Sequence, residues 1–290
     1  MTETTSVAHR NRFMHEDIPV SDAYMNDTVH VITAHESVRA FESRAIPDEM
    51  LTAILTAARS APTSSNLQAY SVIVVDDEAS KSRLAVLAGE QECIAQAPLL
   101  LVFCADVNRL RYVAHRQGRE FGGDTLEMFL LASVDAALVM QNTLVAAESL
   151  GLATTPIGSV RDRPDLIAEE LELPEGVYAV AGLCVGFERA GERRGTKPRL
   201  PENVTIHRNK YSEDAFEAGI SDYDDTMMRR RTYAGRHIQV PGEVGQDDAE
   251  YGWAEHTALR CSSPEVLGKP ADFGRRLLRS YLEGRGFSFD

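Results

Sequence analysis

Apolar positions along this chain follow two rhythms, and each rhythm predicts a different kind of element. Met50, Leu51, Ile54, Leu55 and Ala58 recur three and four residues apart, which predicts an amphipathic helix. Pro47 with Asp48 and Glu49 supplies its start, since proline tolerates the first turn and acids complement the N-terminal dipole; Pro62 ends it. Residues 70–75 are a β-branched run and predict a strand. Residues 99–105 are continuously apolar between Pro98 and Asp106, the mark of a strand buried on both faces. Residues 78–88 predict a helix closed by Gly89. Residues 126–150 predict a long helix, apolar on nearly all sides, with Gly151 as its C-cap, and such a helix belongs in a core or an oligomer interface. Further strands are predicted at 153–157 and 177–185, separated by a short helix that starts at Pro164. Upstream, Asn26-Asp27 predicts the cap of a first helix reaching about residue 35, with Val29, Val31 and Ile32 as its apolar residues.

After Gly186 the rhythm breaks. Residues 188–201 read as a charged, Gly- and Pro-containing loop, 212–231 have helical content, 239–250 form an acidic loop, and a last helix covers about 271–283. The pattern divides the chain into an N-terminal extension (1–25), a core (26–211) and a C-terminal excursion with helices (212–290). Strands and helices mixed in this way, with long excursions, predict an α+β fold rather than a regular βαβ array.

Composition narrows the function classes. The 290 residues are long enough to bury a substantial core, and 43% hydrophobic with 26% charged content is ordinary for a globular chain. A formal net charge of −14 argues against non-specific nucleic-acid binding, which depends on Lys and Arg neutralising phosphates, although a local basic cluster still suits a phosphate-bearing cofactor. No charge-free apolar run of roughly 18 residues occurs, so no transmembrane helix or membrane partner is expected. The polar N-terminus lacks a signal-peptide core, and Cys93, Cys104, Cys184 and Cys261 are scattered, which together predict a reduced, cytoplasmic protein. Dinucleotide-binding G-x-G-x-x-G, P-loop, H-E-x-x-H and G-x-S-x-G signatures are all missing.

Candidate chemistry sits in five places. His35, Ser37 and Arg39 alternate, so an extended backbone points them to one side, where two donors and a guanidinium can grip a phosphate or an electron-rich ring edge. A surface ion pair at Arg39 and a helix-closing His35 are the plain alternative. The loop Thr63-Ser64-Ser65-Asn66-Leu67-Gln68 offers hydroxyls and amides beyond a proline-terminated helix, or is a simple polar turn. Lys197 and Arg199 flank a rigidifying Pro198 and match the charge of a phosphate monoester; a solvated loop pair is the alternative. Gly158-Ser159 follows a strand end where backbone N–H groups can approach a ligand, or is an ordinary strand-to-helix turn. Arg229, Arg230, Arg231, Arg236 and His237 form a basic island that can attract the 2′-phosphate of NADPH, or a solvated helix terminus.

Taken in order, H-x-S-V-R-x-F at 35–41, S-S-x-L-Q at 64–68, Gly89-Glu90-Gln91 with Ala95-Gln96-Ala97, and Val102-Phe103-Cys104-Ala105-Asp106 resemble the FMN-dependent nitroreductases. The likeness is to the NADPH-linked NfsA/Frp-type nitroreductase and flavin reductase group. Gln141-Asn142, Ala146 to Leu152, Ile157-Gly158, Gly182 to Gly186 and Lys197 to Pro201 continue it, so that it spans residues 27–211.

The resemblance implies a nitroreductase-like fold, with a central mixed or antiparallel sheet flanked by helices, in an intertwined homodimer binding FMN non-covalently with some contacts from the partner subunit. It implies that His35 and Ser37, with Lys197 and Arg199, meet the FMN phosphate. Arg39 would lie by the pyrimidine side of the ring, and Ser64, Ser65 and Gln68 along the ring or ribityl chain. Gln91 would lie at the ring edge, and the Gly158 N–H, between Ile157 and Ser159, near flavin N5. No protein nucleophile or general acid is then needed, since the flavin does the chemistry. The activity implied is ping-pong, two-electron reduction of small acceptors (nitroaromatics, quinones or free flavins) with NADPH as donor. A dedicated flavin reductase feeding a monooxygenase, and a flavin-binding module without turnover, are the other readings. Glu36, Asn66, Pro156 and Ser159 depart from the group's usual residues, which leaves the acceptor open.

Overall fold

Four strands, β1 (Tyr70–Val75), β2 (Leu99–Asp106), β3 (Ala153–Ile157) and β4 (Val177–Gly186), form one sheet in the order β1-β2-β4-β3, with every neighbouring pair antiparallel. They belong to a computed structural model that describes residues 12–13, 24–191, 195–263, 266 and 277–289. Its helices, in chain order, are α1 (Asp27–Ala34), α2 (Asp48–Arg59), α3 (Glu78–Leu87), α4 (Glu92–Gln96), α5 (Asn108–Arg116), α6 (Leu126–Ser149), α7 (Pro164–Glu170), α8 (Glu202–Thr205), α9 (Phe216–Arg229), α10 (Trp253–Cys261) and α11 (Leu278–Glu283). Two compact units result, one of residues 35–194 with 274–290 and the other of 1–34 with 195–273.

The first unit is built around β2, all eight residues of which are buried, as its unbroken apolar run predicts. Leu100, Val102 and Cys104 enter a cluster with Leu84 of α3, Ala88 just after it, Ile94 of α4 and Ile167 of α7. Leu99, Leu101 and Phe103 turn the other way, toward Ile54 and Ala58 of α2 and Ala136, Val139, Leu144 and Ala147 of α6. An antiparallel sheet covered by helices on both faces needs apolar residues in both directions, which is why the strand does not alternate. At about 1.5–3 kcal/mol per large side chain buried, this strand contributes more to stability than any surface element can. Residues 277–289 close one end: Leu282 and Phe287 are buried with Tyr178, and the Phe129 ring stands edge-on to Tyr178 and Phe287 at 5.6 and 5.2 Å.

α6 differs from the expected all-round burial. Its inner face packs on the sheet and α2, but Leu126, Leu130, Val134 and Leu138 are 58, 57, 50 and 38% exposed and, at a spacing of four, form one apolar stripe. By length and composition alone α6 could cross a bilayer. Its buried residues include the carboxylate of Asp135, 0% exposed and hydrogen-bonded, which marks a core helix instead.

The second unit, as described, contains α1, α8, α9 and α10. Asn26 caps α1 as expected, its Oδ1 accepting the Val29 N–H at 3.0 Å. Tyr223 of α9 meets Trp253 of α10 edge-on at 5.3 Å, and Asp224 Oδ1 accepts the Ala254 N–H at 2.8 Å. A Cβ at Gly252 would fall 2.1 Å from that same oxygen, so only glycine lets α10 start there.

Boundaries read from pattern sit at residues 26 and 212; the units instead part after 34 and after 194, and residues 274–290 fall with the sheet. Helices α4, α5, α8 and α10 were not expected. The helical content expected at 212–231 is Phe216–Arg229. Most of the extension 1–25 and residues 271–276 of the expected last helix lie outside the described residues.

Candidate active site

The segment 35–41 lies along the free edge of β3. Ser37 bridges Thr154 in the parallel sense, the Val38 N–H donates to Thr154 O at 3.0 Å, and Thr155 Oγ1 donates to Val38 O. Val38 is buried at 4%, so its neighbours Ser37 and Arg39 turn the opposite way, as alternation predicts. Because the bridge is parallel, the segment runs in the direction of β3 and carries Arg39 toward the Ile157–Ser159 end. His35 is not a mere helix stop. Its Nδ1 lies 2.7 Å from Glu148 Oε1, which also accepts from Thr154 Oγ1 at 2.7 Å, and its Nε2 stands 3.5 Å from Ser37 Oγ. A carboxylate on one ring nitrogen fixes the orientation of the other. Glu148 escapes sequence reading; its signal is an acid at the end of an apolar helix.

At the end of β3, Ile157 is buried and Gly158 leads into a short 3₁₀ turn, Ser159–Arg161. A Cβ at Gly158 would make only ordinary contact with the Arg161 guanidinium at 3.4 Å, so packing alone does not demand a glycine there. Gln91 opens α4 after two left-handed residues, Gly89 (φ +80) and Glu90 (φ +58), with its Nε2 donating to Gly89 O at 3.3 Å. The charge of Arg39 acts on the thiol of Cys93, the second residue of α4. The parallel bridge to Thr154 thus sets segment 35–39 beside β3, and the charge of the exposed Arg39 guanidinium reaches Cys93 of α4.

The loop 64–69 is held from below. Both oxygens of buried Asp135 accept backbone N–H groups, from Ser64 at 2.9 Å and Ala69 at 3.0 Å. Ser65, Asn66 and Gln68 have φ of +49, +55 and +54, a left-handed conformation that costs of order 1 kcal/mol or more for each non-glycine residue. Asp135, together with Arg109 Nη2 donating to Gln68 O at 2.7 Å, holds that strain in place. A strained polar loop fixed by a buried carboxylate is more than a plain turn requires. Asp135 was missed too, though a lone acid in Leu130 to Met140 is a readable signal.

In the second unit Pro198 is buried and accepts the Tyr223 hydroxyl at 3.2 Å, leaving Lys197 and Arg199 exposed on either side of it. The basic island is largely engaged. Arg229 Nη2 donates to Thr226 Oγ1 at 2.8 Å and Arg230 Nη2 to Thr196 O at 3.3 Å. Arg231 lies 3.2 Å from Asp248 Oδ2. His237 Nε2 lies 2.8 Å from Asp248 Oδ1 as an ion contact without hydrogen-bond geometry. The Gly235 N–H, and after it Arg231 and His237, hold the Asp248 carboxyl below its usual range. Arg236 is exposed. The acidic loop thus sends one carboxylate back onto the island. Among the described residues no group of three or more His, Cys, Asp or Glu could hold a metal ion.

Taken together, the candidate residues offer a hydroxyl, an imidazole, a guanidinium, an amide and a strand-end N–H, the chemistry that suits a phosphate-bearing, electron-accepting ring. Residues 32–187 match the model of the nitroreductase family, and residues 197–290 that of the nitroreductase family, C-terminal domain. The chain is 37% identical over 271 residues to "FMN reductase (NADPH)" of Bacillus subtilis, covering 91% of this chain and 99% of that one. It is 37% identical over 246 residues to "Oxygen-insensitive NADPH nitroreductase" of Salmonella typhimurium, covering 84 and 95%. The solved structure of B. megaterium NfrA2 superposes with a TM-score of 0.79 at 36% identity, covering 92% of this chain and 100% of that one.

Proposed function

Since the chain belongs to the nitroreductase family, we propose that it is an FMN-dependent NAD(P)H oxidoreductase that passes two electrons to nitroaromatics, quinones or free flavins. The observation that supports this reading most is the run of His35, Ser37 and Arg39 along the edge of β3, with His35 against Ser37 and the charge of Arg39 reaching Cys93 of α4. Bound FMN would supply the two-electron chemistry, hydride acceptance from NADPH and electron transfer to the acceptor. Arg39 would offer a positive charge to the ring, Gln91 an amide and the Gly158 N–H a donor. His35, held by Glu148, and Ser37 offer donors to the phosphate end, and Ser64, Ser65 and Gln68 are presented by a loop already fixed for contact.

Lys197 and Arg199 are assigned to the FMN phosphate, a role supported by their exposure around pinned Pro198. Each charge-assisted contact is worth about 1.5–3 kcal/mol, so replacing both with alanine should lower FMN affinity at least tenfold. The island is assigned to the 2′-phosphate of NADPH. The homodimer is assigned to the exposed stripe Leu126, Leu130, Val134 and Leu138, which water would otherwise cover. A cytoplasmic location agrees with four free cysteines, three of them buried.

The absorption spectrum of the purified protein tests the reading directly. A yellow protein that bleaches with NADPH under anaerobic conditions supports it, and rates with free FMN against a nitroaromatic then separate flavin reductase from nitroreductase. A protein that stays colourless after soaking in excess FMN refutes it.

A further inference from the structure

A cleft of about 740 Å³ opens within the first unit, where the segment that begins at Phe41 meets the start of α3, the end of α4 and Arg189 beyond β4. Its wall carries three cations, Arg44, Lys81 and Arg189, and none of its residues is among those assigned to FMN or NADPH. Lys81 is only 4% exposed, and its Nζ donates to Ala97 O at 2.7 Å and Pro98 O at 3.2 Å, the carbonyls that follow α4. Closing a helix end accounts for two of the three ammonium N–H groups; it leaves the third, and the buried charge, to be answered. The Arg44 guanidinium lies 4.0 Å over the Phe187 ring, a contact that uses its face and leaves its N–H edge for acceptors. Arg189 is tied to the other wall twice, its own N–H donating to Ala40 O and its Nη2 to Phe41 O, both at 3.1 Å. These cations are therefore largely held in place beforehand, which lowers the cost of ordering them around a ligand.

Among the described residues none of the three pairs with a carboxylate. Two acids, Glu42 and Glu78, nevertheless line the same cleft, together with Ser43 and Gln96. Three positive charges against two negative ones favour an anion, but the acids repel a bare one and accept hydrogen bonds from hydroxyl groups. The volume is that of a small-molecule site and far exceeds the roughly 30 Å³ of a water-sized occupant. We propose that this cleft binds a hydroxyl-bearing phosphate monoester of sugar-phosphate or mononucleotide size. Its phosphate meets Arg44, Lys81 and Arg189, and its hydroxyls meet Glu42, Glu78, Ser43 and Gln96. The site stands on these residues alone and does not depend on the flavin reading.

The full-length protein, saturated with FMN so that the phosphate donors assigned to it are occupied, is titrated calorimetrically with ribose 5-phosphate, inorganic phosphate and ribose. Ribose 5-phosphate should bind at least about tenfold more tightly than inorganic phosphate, ribose should not bind, and excess NADP+ should not displace the probe. Arg44→Glu should abolish binding, and Lys81→Met should weaken it at least about tenfold. Deuterium exchange of the wild type locates the site whatever the variants do, with ribose 5-phosphate expected to protect peptides covering residues 41–44 and 92–98. Protection confined to residues 197–237, or displacement by NADP+, would assign the phosphate to the basic island and overturn the cleft. So would full binding by Arg44→Glu, equal affinity for inorganic phosphate, or no heat at millimolar probe. A protein that takes up no FMN fails the earlier reading, and its own titration and exchange map still decide this one.

Discussion

The unit of residues 35–194 with 274–290 and the unit of 1–34 with 195–273 hold their shapes by different means. In the first, a strand buried on both faces sits between helices, and polar groups near the candidate site hang from that frame by buried carboxylates, Asp135 under one loop and Glu148 behind His35. In the second, rings and side-chain oxygens carry the contacts. Tyr233 stacks on His256 at 4.3 Å, His237 on Tyr251 at 4.0 Å, Asp224 holds the start of α10 and Asp248 holds Gly235. Apolar burial is indifferent to pH and salt, whereas contacts of this second kind are worth about 1 kcal/mol each and many depend on protonation. The first unit is suited to hold a ring in a fixed place, and the second to answer to the charge of what approaches it.

The contrast breaks most sharply at Asp135. Asp135→Ala removes two charge-assisted hydrogen bonds and releases a strained loop, so we expect a loss of about 3 kcal/mol in chemical denaturation, with Asp135→Asn losing about half as much. A shift below about 1 kcal/mol would mean that the loop holds itself and that the burial of this carboxylate offsets its bonds. Next in size is Glu148→Gln, which keeps an acceptor for Thr154 but loses the charge that orients His35. FMN affinity should fall about tenfold, roughly 1.4 kcal/mol, with little change in melting temperature. Equal loss of both would make Glu148 a structural residue only.

The second unit should give way in acid. His256 is held below its ordinary value of 6.5, first by burial and then by the charges of Arg260, His237 and Lys197. Its folded form binds protons less readily than the unfolded chain, so its contribution is intact above 6.5 and is lost as pH falls below that value toward the depressed one. Trp253, the single tryptophan, lies on α10 beside Tyr223 and reports this unit alone. Its fluorescence transition should weaken as pH falls below about 6.5, before the far-ultraviolet signal of the sheet unit does. His256→Asn should flatten that response, and a response unchanged by the substitution would move the acid sensitivity elsewhere.

The same difference decides what could be read from the sequence. β1 and β3 fall on the bounds that pattern predicts, and β2, β4, α2, α3 and α6 within a few residues, because core-facing elements carry their period in their own residues. The short helices α4 and α8 have too few turns for a period, and α10 holds its place through Asp224 and Tyr223, which lie some thirty residues away and leave no local mark. Near the candidate site, the outward turn of Ser37 and Arg39 was legible because the apolar Val38 alternates with them. The groups that orient the site were not, since Asp135 and Glu148 act across 71 and 113 residues of chain. A composition signal did exist for both, a carboxylate in an otherwise apolar helix, and such an acid asks for a partner.

The smallest effect we expect lies in the acidic loop, and it tests whether the second unit answers to charge. Asp248 takes up Arg231 and His237, so the island meets a ligand with part of its charge already spent internally. Exposed pairs of this kind are weak, so the change should stay within about fivefold. Asp248→Asn keeps an acceptor for the Gly235 N–H and releases both cations, so KM for NADPH should fall about two- to fivefold while KM for NADH stays put. Arg231→Ala should move KM for NADPH the other way by a smaller factor, because the arginine it removes is already partly neutralised. Both shifts should shrink as salt is raised from low to physiological ionic strength, since the groups are exposed and the attraction is screened over about 8–10 Å. Equal changes for NADPH and NADH would strip the island of its 2′-phosphate role and leave Asp248 as a brace for the turn at Gly235.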